Sequence, residues 1–334
     1  MAMGKGSRSK QPSAFVMTRD LVQSSGHPFY EKLNEVLHAE GFDAFAEAQC
    51  APYYVEKMGR PSIPPGVYFR MLMVGYFEGI DSERGIDWRV SDSLALRRFL
   101  GYDLDESTPD HSSLSRTRHR LPCAVHEEVF TWVLRLLAKA DLVNGKTVGV
   151  DATTLEANAA MRSIVRRDTG ESYQAFLEDL AKASGIETPT REDLAKVDKK
   201  RPKKGSNKDW EHPDDPDARI TKMKDGRTHL AHKAEHAVDL DTNAIVAVTL
   251  QAADKGDTQT LGSTLSQAEE NLEWVAQDEQ AAEKLHPQPV REVVADKGYH
   301  SNDVLSTLKQ NEYRSYISEP NRGRRKWNGK QDVQ

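Results

Sequence analysis

A change of hydrophobic period near Lys146 constrains this chain more than any other feature. From Pro28 to about Val143, apolar residues recur at helical spacing, as in Phe29, Leu33, Val36 and Leu37 and again in Val129, Val133, Leu136 and Leu137. That spacing turns one face of successive helices toward a core. Beyond Lys146 the pattern becomes short runs of β-formers separated by turn-forming and helical stretches, beginning with Thr147-Val148-Gly149-Val150-Asp151. A chain patterned this way folds as a helical part followed by a mixed α/β part. With 334 residues, 37% of them hydrophobic, there is enough chain for two cores.

The helical part has well-marked breaks. Pro61, Pro64, Pro65 and Gly66 precede one helix, Gly101 follows Leu94 to Leu100, and Pro122 follows a segment beginning at Pro109. That last segment, Thr108 to Leu121, is expected to start on a capping Thr108 with Pro109 at the first helical position. Leu114 and Leu121 then share a face. Arg116, Arg118, His119 and Arg120 are left exposed, with Ser112, Ser113 and Ser115 placed to reach phosphate oxygens. With the preceding helix through Arg97 and Arg98, the segment fits a helix-turn-helix. Any basic amphipathic helix satisfies the same pattern, so a plain solvated face stands beside DNA contact.

In the second part, the strand ending at Asp151 continues as extended chain through Leu155 before Ala-rich residues that lead into a helix. Tyr173, Phe176, Leu177 and Leu180, with Gly185 as a stop, predict a helix from about Glu171 to Ser184, and a shorter one follows near Glu192 to Val197. These belong to an insertion of about residues 156–227, ending in a lysine cluster and the stretch Pro213 to Asp217. Two strand-like runs, Thr228 to Leu240 and Ala244 to Leu250, flank Asp241-Thr242-Asn243 and predict a β-hairpin. A helix from about Thr258 to Leu272, a strand closing at Asp296, a helix near Asp303 to Gln310 and a strand Tyr313 to Ile317 complete the order.

Asp151 and Asp296 each close a run of β-formers. A carboxylate at the end of a buried strand needs a hydrogen-bond donor, a basic partner or a cation. Either Asp alone also fits a residue capping the loop after its strand; two on strands far apart in sequence favour a divalent cation. His229, His232 and His236 invite a metal reading, but spacings of three and four on a strand put them on mixed faces. Cys50 and Cys123 lack any CxxC or Cys/His spacing, so neither a disulfide framework nor a zinc site has support.

The net charge of -6 argues against nucleic acid, yet the basic residues are clustered. Lys199, Lys200, Arg201, Lys203, Lys204 and Lys208 form one group. Arg322, Arg324, Arg325, Lys326 and Lys330 form another beside Trp327. Both are candidate contacts to a DNA backbone, and both also fit solvated loops. The longest apolar run near the N-terminus, Met71 to Phe77, is too short to span a bilayer, and the first residues have no signal-peptide core, so a cytoplasmic location is expected.

Several pieces together resemble a known family: Pro64-Pro65 ahead of the Met/Tyr/Phe helix, Val148-Gly149-Val150-Asp151-Ala152-Thr153, His232-Lys233-Ala234-Glu235-His236-Ala237-Val238-Asp239, and Ala295-Asp296-Lys297-Gly298-Tyr299. From about Phe29 to Trp327 the chain resembles DDE-type insertion-sequence transposases with a helical N-terminal domain and an insertion after the first catalytic strand. The resemblance implies a basic N-terminus (1–27), a helical DNA-binding domain (28–143), a ribonuclease H-like mixed-sheet domain (144–320) and a basic tail (321–334). It implies that the first and fourth strands are neighbours, bringing Asp151 and Asp296 together. Asp151 then bridges two magnesium or manganese ions and Asp296 holds one, an all-oxygen site that does not favour zinc. Lys297 and Tyr299 touch scissile-strand phosphates or fix the loop. The implied partners are the terminal inverted repeats and target DNA, bound by a homodimer near the nucleoid.

One departure stands out. The family supplies a third carboxylate, a Glu in a helical pattern of Tyr, two residues, Arg, three residues, Glu, six residues, Lys, and no such pattern lies between Asp296 and Gln334. Glu319 is the nearest acidic residue of interest, but Pro320 and Gly323 follow it. The expectation is a chain truncated before the catalytic Glu and close to inactive alone. Three readings follow: a transposase that nicks and joins element ends when complete, a truncated or decayed one that binds DNA without cutting, and a ribonuclease H-like metal-dependent nuclease.

Overall fold

The computed structural model describes residues 28–55, 62–201 and 205–321, and the chain divides into two compact units between Phe130 and Thr131. The first unit holds α1 (Pro28–Ala39), α2 (Phe42–Cys50), α3 (Pro65–Glu78), α4 (Glu83–Ser91), α5 (Leu94–Leu100), α6 (His111–Arg120) and the start of α7 (Cys123–Lys139). Local chemistry sets these boundaries. The side chains of Ser82, Ser93 and Asp110 accept hydrogen bonds from the Gly85, Leu96 and Ser113 amides, satisfying donors that the first turn leaves open. Gly79 and Gly101, at φ 64 and 79, end α3 and α5 in the left-handed conformation. The core is built on Tyr68, Met71, Val74, Leu96, Phe99 and Leu114. Arg70 is buried within it, its fork on the Asp43 carboxylate and its guanidinium 5.5 Å from the Phe42 ring centroid.

Two expectations for this unit are corrected. The cap of α6 is Asp110 and not Thr108, because the carboxylate takes both the Ser113 amide at 2.6 Å and the Ser112 hydroxyl at 2.8 Å. The helix-turn-helix also fails in its spacing. Residues 101–110 separate α5 from α6, more than the short turn of that motif. Instead α6 packs on α4, where Arg118 pairs with Glu83 at 3.1 Å and the His111 amide donates to Asp87 at 3.1 Å.

The second unit follows the predicted order with additions. It contains β1 (Thr147–Glu156), β2 (Val165–Arg166), α8 (Tyr173–Ala183), α9 (Arg191–Lys200), β3 (Trp210–Glu211), β4 (Arg219–Lys222), β5 (Thr228–Asp239), β6 (Ile245–Ala252), α10 (Asp257–Val275), α11 (Glu279–Ala282), β7 (Glu292–Ala295), α12 (Asn302–Gln310) and β8 (Arg314–Ile317). No α-helix follows β1 directly, only a 3-10 turn, Met161–Ser163. Ala157, Ala159 and Met161 pack instead on a satellite core of Ile164, Trp210, Ala218 and Leu230. The insertion also ends inside the main sheet, since β4 pairs antiparallel with β5.

In that sheet β5 is antiparallel to β6 on one edge and to β1 on the other, while β1, β7 and β8 run parallel. Val148, Val150, Val293 and Ala295 alternate onto the face covered by α10, whose buried residues include Leu261, Leu265, Ala268 and Leu272. On the other face, Asp151, Val248, Leu250 and Tyr316 are exposed. The unit boundary falls inside α7, earlier than residue 143. The helix's second half belongs with α10: the Arg135 guanidinium lies 5.8 Å from the Trp274 ring centroid, and Lys139 pairs with Asp278 at 2.9 Å. Among the described residues no helix is long and apolar enough to cross a membrane.

Candidate functional site

The parallel pairing of β1 with β7 brings the two aspartates together. Its last partners are Val150 and Ala295, so Asp151 and Asp296 lie one step beyond, on adjacent strands whose spacing is about 4.8 Å. Both are exposed, and each turns one oxygen to a backbone amide: Asp151 accepts from Ala152 at 2.8 Å and Asp296 from Gly298 at 2.7 Å. Among the described residues neither forms an ion pair. Asp151 lies within β1, which runs on to Glu156, and caps no turn, so the loop-capping alternative holds for Asp296 alone. Asp296 is the cap of a 3-10 turn, Lys297–Tyr299, rather than the last residue of its strand. The donors are hard oxygens, which fit a magnesium-class ion. Among the described residues no group of three or more His, Cys, Asp or Glu is arranged to hold a metal ion, so the pair has no third ligand. Glu319 lies in the non-helical segment after β8 and is exposed.

Around the pair the expected contacts sort themselves by burial. Lys297 is exposed beside Asp296. Tyr299 is not available to a phosphate: it is 1% exposed, and its hydroxyl donates to Glu235 at 2.8 Å. Burial first, then the Glu235 hydrogen bond and charge, push its pKa far above the ordinary phenol value. Tyr299 fixes the loop. The histidines are dispersed as their spacing implied, with His229 on Glu156 and Asp225 at 2.6 and 3.2 Å, His232 on Asp215 at 3.0 Å, and His236 opposite Asp151.

The basic residues divide in the same way. Arg116 and Arg120, one turn apart on α6, line a cavity of about 530 Å³ with Ser107, Thr108, Ser113 and Thr117, and the Arg120 guanidinium sits 4.7 Å from the Tyr54 ring centroid. Arg118 points elsewhere, to Glu83. In the insertion Lys199 and Lys200 are exposed at the end of α9, whereas Arg201 is committed to packing. It pairs with Asp198 at 2.8 Å, donates to the Tyr173 hydroxyl at 2.8 Å and stacks on the Tyr173 and Phe176 rings. Lys203, Lys204, Arg324 and Arg325 lie outside the described residues.

Residues 16–120 match the family model described as Transposase domain (DUF772). The match supports a transposase family. It ends at Arg120, the last residue of α6, and so includes the helix that carries the Arg116 and Arg120 cavity. No match is found among curated proteins. The transposase match lies wholly in the first unit, while the paired aspartates lie in the second.

Sequence reasoning missed one group next to the aspartates. Lys233 and Glu235 alternate onto the covered face of β5 and are buried, joined to Asp257 and Thr260 of α10. The signal was present in His232-Lys233-Ala234-Glu235-His236-Ala237-Val238-Asp239, where Lys233, Glu235 and Asp239 share one face of the strand with Ala237.

Proposed function

We propose that this chain is an insertion-sequence transposase of the DDE type, with a ribonuclease H-like second unit whose Asp151 and Asp296 take magnesium or manganese. The observation that carries the reading is the β1–β7 parallel pairing, which sets two exposed aspartates side by side in a unit that follows a transposase-domain match. A divalent ion held there supplies charge neutralisation at a phosphodiester and an activated oxygen nucleophile. The chain's own residues do the rest. The Asp151 and Asp296 carboxylates hold the ion, the Tyr299 hydroxyl on Glu235 fixes the turn carrying Asp296, and Lys297 meets a DNA phosphate. Arg116, Arg120, Lys199 and Lys200 contact the DNA backbone, which carries the element's terminal repeats; a homodimer on DNA and a cytoplasmic, nucleoid-associated location belong to the same reading.

One observation favours the second reading, a transposase-like protein that binds DNA without cutting it: no third carboxylate joins the pair among the described residues. Positioning is what two-metal catalysis depends on, and a missing ligand lowers the rate by orders of magnitude.

The test is a manganese titration of the full chain and of its Asp151→Asn and Asp296→Asn variants, beside a nicking assay on DNA carrying candidate element ends. We expect each substitution to weaken manganese binding at least tenfold, and equal binding by all three proteins sinks the site. Strong magnesium-dependent nicking would reject the binding-only reading. Changing Arg116 and Arg120 to Ala together is expected to reduce the slope of log affinity against log salt by up to about 1.8, at about 0.9 for each phosphate no longer neutralised. An unchanged slope removes α6 from the interface.

A further inference from the structure

The end of the sheet that carries the paired aspartates is held by a buried ammonium. Lys233 sits on the covered face of β5, where an unpaired charge is not tolerated. Its Nζ lies 2.7 Å from Asp257 Oδ1, 2.9 Å from Thr260 Oγ1 and 3.6 Å from Glu235 Oε1. Glu235, fully buried, accepts from Thr260 at 2.7 Å, from Tyr299 at 2.8 Å and from Thr264. Two lines of contact therefore run from this cluster to the turn after β7. One is Glu235 to the Tyr299 hydroxyl.

The other passes through Asp257, the first residue of α10. With Oδ1 on Lys233, its second oxygen faces Gly298: a Cβ built on Gly298 would stand 2.7 Å from Asp257 Oδ2 and 2.9 Å from Asp296 Oδ1. A side chain at this position would have to displace one of these carboxylate ends. The Gly298 backbone is thus enclosed between two carboxylates, one that caps the turn and one that is neutralised from inside the core. Without an ammonium here, Asp151, Glu235, Asp257 and Asp296 would leave four carboxylates near one end of the sheet with no internal counter-charge among the described residues.

We propose that Lys233 is a positioning residue of the Asp151–Asp296 site. It neutralises Asp257 and Glu235 and so holds the Lys297–Tyr299 turn, and with it the Asp296 carboxylate, in place. The role in ion binding rests on the reading of that pair as a cation site; the hold on the turn does not.

The experiment uses the full chain with Lys233→Met, Lys233→Arg and Asp257→Ala, the last being a half-exposed position expected to fold even where Lys233→Met does not. Two readouts are taken: amide hydrogen exchange, and manganese titration followed by electron paramagnetic resonance. Lys233→Met and Asp257→Ala are expected to exchange at least tenfold faster at Gly298 and Tyr299, with the α10 amides from Leu261 to Leu272 unchanged, and to bind manganese at least fivefold more weakly. Lys233→Arg is expected to restore manganese binding to within about twofold of wild type. Unchanged exchange at the turn in both variants overturns the proposal, as does uniform acceleration along α10, which marks general loosening. Tighter manganese binding in Lys233→Met also overturns it, because Lys233 would then merely compete with the ion for Asp257. If the wild-type chain binds no manganese while the turn still loosens in the variants, the cation reading fails and the hold of Lys233 on the turn stands.

Discussion

Asp239 and Asp151 occupy the same β1–β5 ladder, paired with Val148 and His236 respectively, and their surroundings are opposite. Asp239 is fully buried and accepts from the backbone amides of Asn144, Gly145 and Asp241 at 2.6, 2.8 and 2.9 Å. It ties the entry of β1 to the turn between β5 and β6. Asp151 is exposed and, among the described residues, accepts only from the amide of its own neighbour, Ala152. A carboxylate whose oxygens are taken up by backbone amides holds the fold. One left outside the core with an oxygen to spare, beside a second like it, retains the capacity to bind something else.

The sharpest way to break this comparison is to exchange the two roles by mutation. Asp239→Ala leaves three backbone donors without their acceptor and is expected to destabilise the second unit by about 3 to 5 kcal/mol, read as a lower denaturation midpoint. If stability hardly changes, Asp239 is not the tie described. Tyr299→Phe removes one donor from the buried Glu235 carboxylate. The expected loss is smaller, about 1 to 2 kcal/mol, together with weaker manganese binding; a variant as stable as wild type would detach Tyr299 from the Asp296 turn.

In the first unit, Asp110→Ala removes the α6 cap and is expected to lower stability by about 1 kcal/mol at neutral pH. The Ser112 hydroxyl first, then the Ser113 amide and hydroxyl, lower the Asp110 carboxyl to about 2. Its folded pKa is therefore depressed. The stabilisation is present above the unfolded carboxylate range near about 3.9 and is lost as pH falls through about 2. The gap between wild type and variant should narrow over that window, and a gap undiminished between pH 5 and pH 2 contradicts the assignment. Smallest of all, Asp296→Asn is expected to shift stability by no more than about 0.5 kcal/mol, since an exposed Asn still accepts from the Gly298 amide. A loss as large as that for Asp239→Ala would erase the distinction.

Much of this was legible in the chain. The change of period at Lys146, the hairpin around Asp241-Thr242-Asn243 and the strand leading to Asp296 all follow from local spacing and turn chemistry, and each appears in the structure within a few residues. Asp151 and Asp296 stood out because a charged residue closing an apolar strand is rare without a reason. Local pattern failed wherever a long-range partner decides. It does not say that Arg118 turns to Glu83, that Arg201 stacks on Tyr173 and Phe176, or that β4 leaves the insertion to join β5. Nor does it distinguish Tyr299 as a phosphate contact from Tyr299 as an anchor, because both uses need the same residue at the same place in the turn. Burial resolves that choice, and burial is set by Glu235, far away in sequence. The sequence by itself determined where the main helices and strands fall, since their periods and turns depend on neighbours along the chain. Only the tertiary structure decided which charges face solvent and which are neutralised inside, because a charge is stable in the core only beside a partner that folding brings to it.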